Sequence, residues 1–335
     1  MESRLSDRPS APMPNSAILA HVHPELRAAG QQMLNFPVPT EGKTEIAQLV
    51  GYRSLMPTQP PLADPAVEKI MVSGPDAAPD VPIYVINARS GESRPLIVHL
   101  HGGGFVMGRA DGNLPALQSE AAALDCIIVT VDYRLAPEAP FPAPLQDAYA
   151  ALTWTYRHCD SLGGDRNLLA VQGESAGGGL AALLALAARD RGEVRLVHQS
   201  LIYPMLDDRT GTSPTPFPVG HMAWSGPLNQ AAWTAFLGQS AGGKGVPAGA
   251  VPARAATLAG LPHTFIGVGS IDLFVTEDTQ YANRLIEAEV PTVLYVVPGA
   301  FHGFDVAAPE TNIVRDFQLA QRNALADAFR TRSNR

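Results

Sequence analysis

Short runs of Val, Ile and Leu, five to eight residues long, alternate along this chain with longer stretches of helical periodicity. That alternation is accommodated by a mostly parallel sheet whose strands are joined by crossover helices. The strand runs fall at 67–73, 81–88, 95–100, 126–131, 168–172, 196–203, 263–268 and 292–297. Helical patterns follow at 114–124, 145–158, 176–189, 276–288 and from about 312 onward. The first two strands are too close together for a crossover, so that pair must be antiparallel. An α/β fold with about eight strands is therefore expected, and a chain that is 46% hydrophobic and 17% charged has the apolar residues to fill its core.

Two regions break the rhythm. Residues 1–50 precede the first strand and carry helical patches such as 25–34. Residues 206–250 interrupt the alternation with prolines and with Phe217, Trp224, Trp233 and Phe236. Their simplest use is a two-piece cap over one end of the sheet, supplying apolar walls that the sheet edge lacks. The expected organisation is a cap piece at 1–50, core at 51–205, a cap insertion at 206–250 and core again at 251–335.

The net charge of −8, with no Lys/Arg-rich run, disfavours nucleic acid or an anionic membrane surface as partner. The first residues mix Arg4, Asp7 and Arg8 with prolines and lack a signal-peptide core. The longest apolar segment, 180–188, is about half a membrane span, so a cytoplasmic protein is expected. Of the two cysteines, Cys126 opens a strand-like run, and a buried, reduced thiol is expected there rather than a disulfide to Cys159.

The chemistry is concentrated in a few segments. Gly173-Glu174-Ser175-Ala176-Gly177 follows an apolar strand and opens a long Ala/Leu helix, the context of a nucleophile elbow. In such a turn the flanking glycines leave room for the chain to reverse, and the helix aims free N–H groups at any oxyanion. Gly238-Gln239-Ser240-Ala241-Gly242 repeats the pattern, but it has no strand before it and no helix after it, so context selects Ser175. His101-Gly102-Gly103-Gly104 follows the strand at 95–100 and suits an oxyanion hole, with the amides of Gly103, Gly104 and Ala176 as donors. His99-x-His101 and His21-x-His23 have the alternation of a metal pair, but no ligand cluster accompanies them, so no metal is expected.

Among nine histidines, only His302 lies beyond the last strand run. Asp272 lies just after the strand at 263–268. Both, like Ser175 and the glycine run, fall at strand C-terminal ends, which in a parallel sheet form one rim. The order Ser, Asp, His is the one an α/β-hydrolase requires, with Ser175 as nucleophile, His302 as base and Asp272 orienting it. Glu277 and Asp278 rival Asp272 but fall a turn into the next helix, where first-turn carboxylates are favourable.

These segments, together with Phe105, Asp132-Tyr133-Arg134-Leu135-Ala136-Pro137-Glu138, Tyr203-Pro204 and His302-Gly303-Phe304, resemble the hormone-sensitive lipase family of bacterial-type esterases and lipases across about residues 95–304. The resemblance implies an α/β-hydrolase core with a helical cap, no cofactor, hydrolysis of a small-molecule carboxylic ester, and a homodimer through the edge strand at 292–297. Plant gibberellin receptors resemble the family but lack the catalytic histidine, which is present here as His302. Glu174 stands where members commonly have Asp, and Leu273-Phe274 where they commonly have Pro-Leu; neither removes a catalytic atom. Asp132 and Arg134 are expected to pair structurally near the sheet edge. The absence of a long apolar amphipathic lid points to short or medium acyl chains.

Overall fold

The computed structural model describes residues 15–35, 44–56, 58–74 and 78–333, with side chains up to residue 330. Arg4, Asp7 and Arg8 lie outside these residues. The strands are β1 (Val67–Val72), β2 (Val81–Ile86), β3 (Arg94–Leu100), β4 (Ile127–Val131), β5 (Gly164–Glu174), β6 (His198–Ile202), β7 (His263–Gly269) and β8 (Thr292–Val297). They form an eight-stranded sheet in the order β1-β2-β4-β3-β5-β6-β7-β8. β2 runs antiparallel to β1 and β4, and every other neighbouring pair is parallel.

The burial pattern explains why these runs became strands. β4 and β6 are buried at every position, as expected for strands covered on both faces. The edge strands β1 and β8 are largely exposed or half-buried. In the parallel part, Leu100 pairs with Val131 and Gly173, Gly173 with Leu201, Ile202 with Gly267, and Gly269 with Val297. This register aligns the strand ends that lead to residue 101, Ser175, Asp272 and residue 298. The ends of four strands thus lie along one edge.

The helices in chain order are α1 (Asn15–Leu19), α2 (Arg27–Leu34), α3 (Glu45–Tyr52), α4 (Leu114–Ala123), α5 (Ala143–Leu162), α6 (Ala176–Arg191), α7 (Gly226–Leu237), α8 (Val275–Glu287), α9 (Phe304–Ala307) and α10 (Asn312–Ser333). α6 is buried almost throughout, from Ala176 to Leu186, because Ala and Leu occupy its whole circumference. α5 and β5 are longer than the sequence pattern suggests: no breaker precedes Gly163, whose left-handed conformation ends the helix and turns directly into the strand. No helix among the described residues is long and apolar enough to cross a membrane.

The two arrhythmic regions come together in space. Leu49 of α3 shares a buried cluster with Trp233, Phe236 and Leu237 of α7. Ile18, Val22 and Leu26 pack with Met222 of the insertion and with Phe301 and Phe304 beside His302.

Asp132 and Arg134 do not pair with each other. Arg134 forks onto both carboxylate oxygens of Asp147 on α5, the closest contact being 2.7 Å, while Asp132 accepts the Ala110 N–H at 3.0 Å. Asp147 is 1% exposed and also accepts the Arg134 backbone N–H at 2.9 Å, so it offers a bidentate partner that Asp132, turned toward the 108–111 loop, does not. Asp147 is buried but Arg134 is 29% exposed, so removing the carboxylate costs its hydrogen bonds while water can partly solvate the guanidinium left behind. Asp147→Ala is therefore expected to lower unfolding stability by about 1–3 kcal/mol, measured by urea denaturation; a loss of under about 0.5 kcal/mol would show the pair to be incidental.

Candidate active site

β5 ends in a reversal that the following helix completes. Ser175 has φ 55° and ψ −121°, a conformation costing about 1–3 kcal/mol for a residue with a side chain. Its backbone is held on three sides: its N–H donates to Ile202 O at 2.8 Å, and its carbonyl accepts from Gly179 N at 3.0 Å and Met205 N at 2.9 Å. The glycines are steric necessities. A Cβ on Gly173 would lie 2.3 Å from Gly177 O, and one on Gly177 would lie 2.0 Å from Leu100 O. The elbow is wedged between its own helix and β3.

The side chains at the rim converge. Ser175 Oγ lies 2.9 Å from His302 Nε2, and His302 Nδ1 lies 2.9 Å from Asp272 Oδ2. Asp272 is fully buried, and its other oxygen accepts the Phe274 N–H at 3.0 Å. The imidazole is walled by rings: Tyr203 at 4.7 Å, Phe274 at 5.2 Å and Trp224 at 6.2 Å between centroids. Tyr203 is itself fixed by donating its hydroxyl to Asp305 at 2.8 Å. Phe274 stands two residues past Asp272, while Trp224 comes from the insertion, whose aromatics the sequence marks as cap walls without tying any one of them to the imidazole.

The glycine run after β3 forms a tight loop. Gly103, Gly104 and Phe105 have φ of 121°, 60° and 61°, and the amides of Val106 and Met107 both fold back onto Gly103 O. A Cβ on Gly103 would come 2.2 Å from Met107 O. Among the described residues, the N–H groups of Gly103, Gly104 and Ala176 have no protein acceptor. His101 is stacked on Tyr133 at 4.2 Å with Nδ1 2.9 Å from Gly102 O, and burial pushes its pKa down. His99 is bound on both sides, by Thr130 Oγ1 at 2.8 Å and by the Glu174 carboxylate at 3.0 Å. Both rings support the loop and the elbow.

Ser240 is exposed in the turn after α7, which Gly238 closes in a left-handed conformation. His23 Nδ1 receives the Glu25 N–H at 3.4 Å, and His21 meets Phe217 edge-on at 5.2 Å. Cys126 and Cys159 are buried free thiols.

A cavity of about 1230 Å³ opens from His302 between the two arrhythmic regions. Met33 and Leu34 of α2, Gln48 and Tyr52 of α3, Met107, and Met222, Trp224 and Leu228 of the insertion form its walls.

Glu277 and Asp278 occupy the first turn of α8, but they turn inward. Glu277 accepts the amides of Leu206 at 2.6 Å and Asp207 at 3.2 Å. Asp278 is fully buried, and its carboxyl is pushed well above the ordinary range by burial first, then by Glu277 and Asp272. Neither is the partner of His302. Because folding raises the Asp278 pKa, its contribution to stability is complete in acid, below the unfolded carboxylate value, and is lost as pH rises through the folded value. Asp278→Asn keeps the shape without the charge. Its melting temperature should exceed that of the wild type by a margin that widens between about pH 5 and about pH 9. A margin independent of pH would show that Asp278 carries no such linkage.

Residues 97–306 match the family described as having the alpha/beta hydrolase fold. The chain is 35% identical over 254 residues to esterase LipI of Mycobacterium tuberculosis, covering 74% of this chain and 78% of that one. It is 40% identical to hormone-sensitive lipase of Mus musculus over 124 residues, 37% of this chain and 16% of that one. The fold superposes on a bacterial heroin esterase with TM-score 0.81 at 31% identity, over 93% of this chain and 99% of the other. With the elbow, the parallel rim and these relatives in agreement, the chain belongs to the α/β-hydrolase-fold family, in its hormone-sensitive lipase branch of carboxylesterases.

Proposed function

We propose that this carboxylesterase hydrolyses short- to medium-chain acyl esters through an acyl-enzyme on Ser175. The observation that carries this reading is the continuous hydrogen-bonded line from Ser175 Oγ through His302 to buried Asp272, 2.9 Å at each link. His302 Nε2 takes the Ser175 proton as Oγ attacks the ester carbonyl carbon, and Asp272 holds the tautomer and offsets the imidazolium charge. The amides of Gly103, Gly104 and Ala176 receive the oxyanion. Collapse expels the alcohol, which takes the proton from His302. Water, deprotonated by the same imidazole, then releases the acid.

The described parts of residues 1–50, namely 15–35 and 44–50, and residues 206–250 serve, in this reading, as the two pieces of a cap. Support comes from their shared cluster with α3 and α7 and from their common cavity above His302. The test is a series of p-nitrophenyl esters hydrolysed by wild type and Ser175→Ala. Wild-type turnover should peak at chains of about eight carbons or fewer and fall by about 10⁴-fold or more in the variant. A peak at a dozen carbons or more would sink the chain-length assignment, and an active variant would sink the nucleophile.

The reading includes a homodimer paired through β8. This strand ends the sheet and exposes Val293 at 47% and Val296 at 40%, an edge with β-branched residues and open backbone groups. Light scattering should give a dimer for the wild type and a monomer for Val293→Lys with Val296→Lys. A monomeric wild type at micromolar concentration would rule the pairing out.

A further inference from the structure

The loop taken above as the oxyanion hole has three consecutive residues with positive φ, Gly103, Gly104 and Phe105. Left-handed backbone in succession does not hold itself, and its surroundings must over-determine it. One side chain reaches it from far away in sequence. Arg53, at the turn that ends α3, donates from Nε to Val106 O at 2.6 Å and from Nη2 to Ala136 O at 2.7 Å. Its fork also grips Glu138, both contacts at 2.9 Å. Ala136 in turn donates its N–H to Phe105 O at 2.9 Å, and Val106 donates to Gly103 O at 3.1 Å. Arg53 therefore touches both segments that fix the glycine loop, and among the described residues neither carbonyl it binds has another donor. The adjacent side chains of the same segment, Gln48, Tyr52 and Met56, face the cavity that reaches His302.

We propose that Arg53 is a positioning residue that clamps the oxyanion loop from the N-terminal segment, so that the wall touched by the bound ester and the amides that receive its developing charge move as one unit. Binding of the non-reacting part of the substrate against α3 then favours the loop geometry needed in the transition state, and the contribution appears in kcat more than in KM. The fork is required: a lysine ammonium has no planar geometry with which to reach Val106 O, Ala136 O and Glu138 together. The ion pair is the minor part, since Glu138 is 63% exposed and solvent screens it.

This inference rests on the reading of Ser175 and the glycine loop given above, and the test separates the two. Arg53→Lys, Arg53→Ala, Glu138→Gln and Ser175→Ala are compared with wild type on p-nitrophenyl butyrate, with melting temperatures taken in parallel. Arg53→Ala should lose kcat by about tenfold or more, below the loss for deleting an oxyanion donor outright, with KM changed by less than about threefold. Arg53→Lys should retain part of that loss, and Glu138→Gln should stay within about threefold of wild type. Added methylguanidinium should restore kcat of Arg53→Ala, a readout that a merely structural arginine would not move. Wild-type kcat in both Arg53 variants, with only a lower melting temperature or a raised KM, would overturn the clamp while an inert Ser175→Ala left the site reading standing. An active Ser175→Ala would overturn both. If Arg53→Ala does not fold, the kcat of Arg53→Lys decides.

Discussion

The structure depends on the backbone of Ser175 being held where an unsupported chain would not stay. Its φ of 55° is tolerated because Ile202 O, Gly179 N and Met205 N each bond to it, and because Gly173 and Gly177 let β3 and α6 close to within distances that no Cβ would permit. Those contacts exist only because β3, β5 and β6 are parallel and in register. The strain therefore belongs to the sheet as a whole, and the core indirectly stabilises the position of the hydroxyl at the rim.

From that anchor the remaining groups follow by strand order. β7 lies two strands from β5, and β8 closes the edge; the loops that leave them deliver Asp272 and His302 to the same rim. The electrostatics are set by burial. Asp272 is fully buried with one oxygen committed to Phe274 N and the other to His302, while the neighbouring Asp278, equally buried, is driven toward its neutral form. Two acids six residues apart thus differ in surroundings: Asp272 is hydrogen-bonded to the His302 ring and the Phe274 amide, whereas neither Asp278 oxygen has a hydrogen-bond partner among the described residues. Aromatic rings fill the space around the imidazole and limit its orientations.

The sequence was most legible where chemistry and backbone geometry constrain residue type together. The Gly-x-Ser-x-Gly turn favoured Ser175 over Ser240 because only the first has a strand behind it and a helix ahead, and the structure has β5 and α6 on either side of Ser175. The antiparallel start of the sheet was readable from linker length alone. Side-chain partners were not. Asp132 and Arg134 stand two residues apart and invited pairing, yet each turns to a separate element, Ala110 and Asp147. Glu277 and Asp278 read as first-turn carboxylates of the next helix and do sit there, but nothing in the local sequence told that they are buried. A carboxylate's neighbours depend on which face of its helix meets the sheet, and adjacent residues do not encode that.

By itself, the sequence determined the class of fold and the strands that end at the rim, and it singled out the hydroxyl, imidazole and carboxylate proposed to act there, because periodicity and glycine placement are local consequences of backbone sterics. Only the tertiary structure decided the 2.9 Å spacing of those groups, the ring wall around His302, the cavity shared by two distant segments and the grip of Arg53 on Val106. Those features arise from packing between residues tens to hundreds of positions apart, whose distances are set by the register of the sheet and the volume of its core.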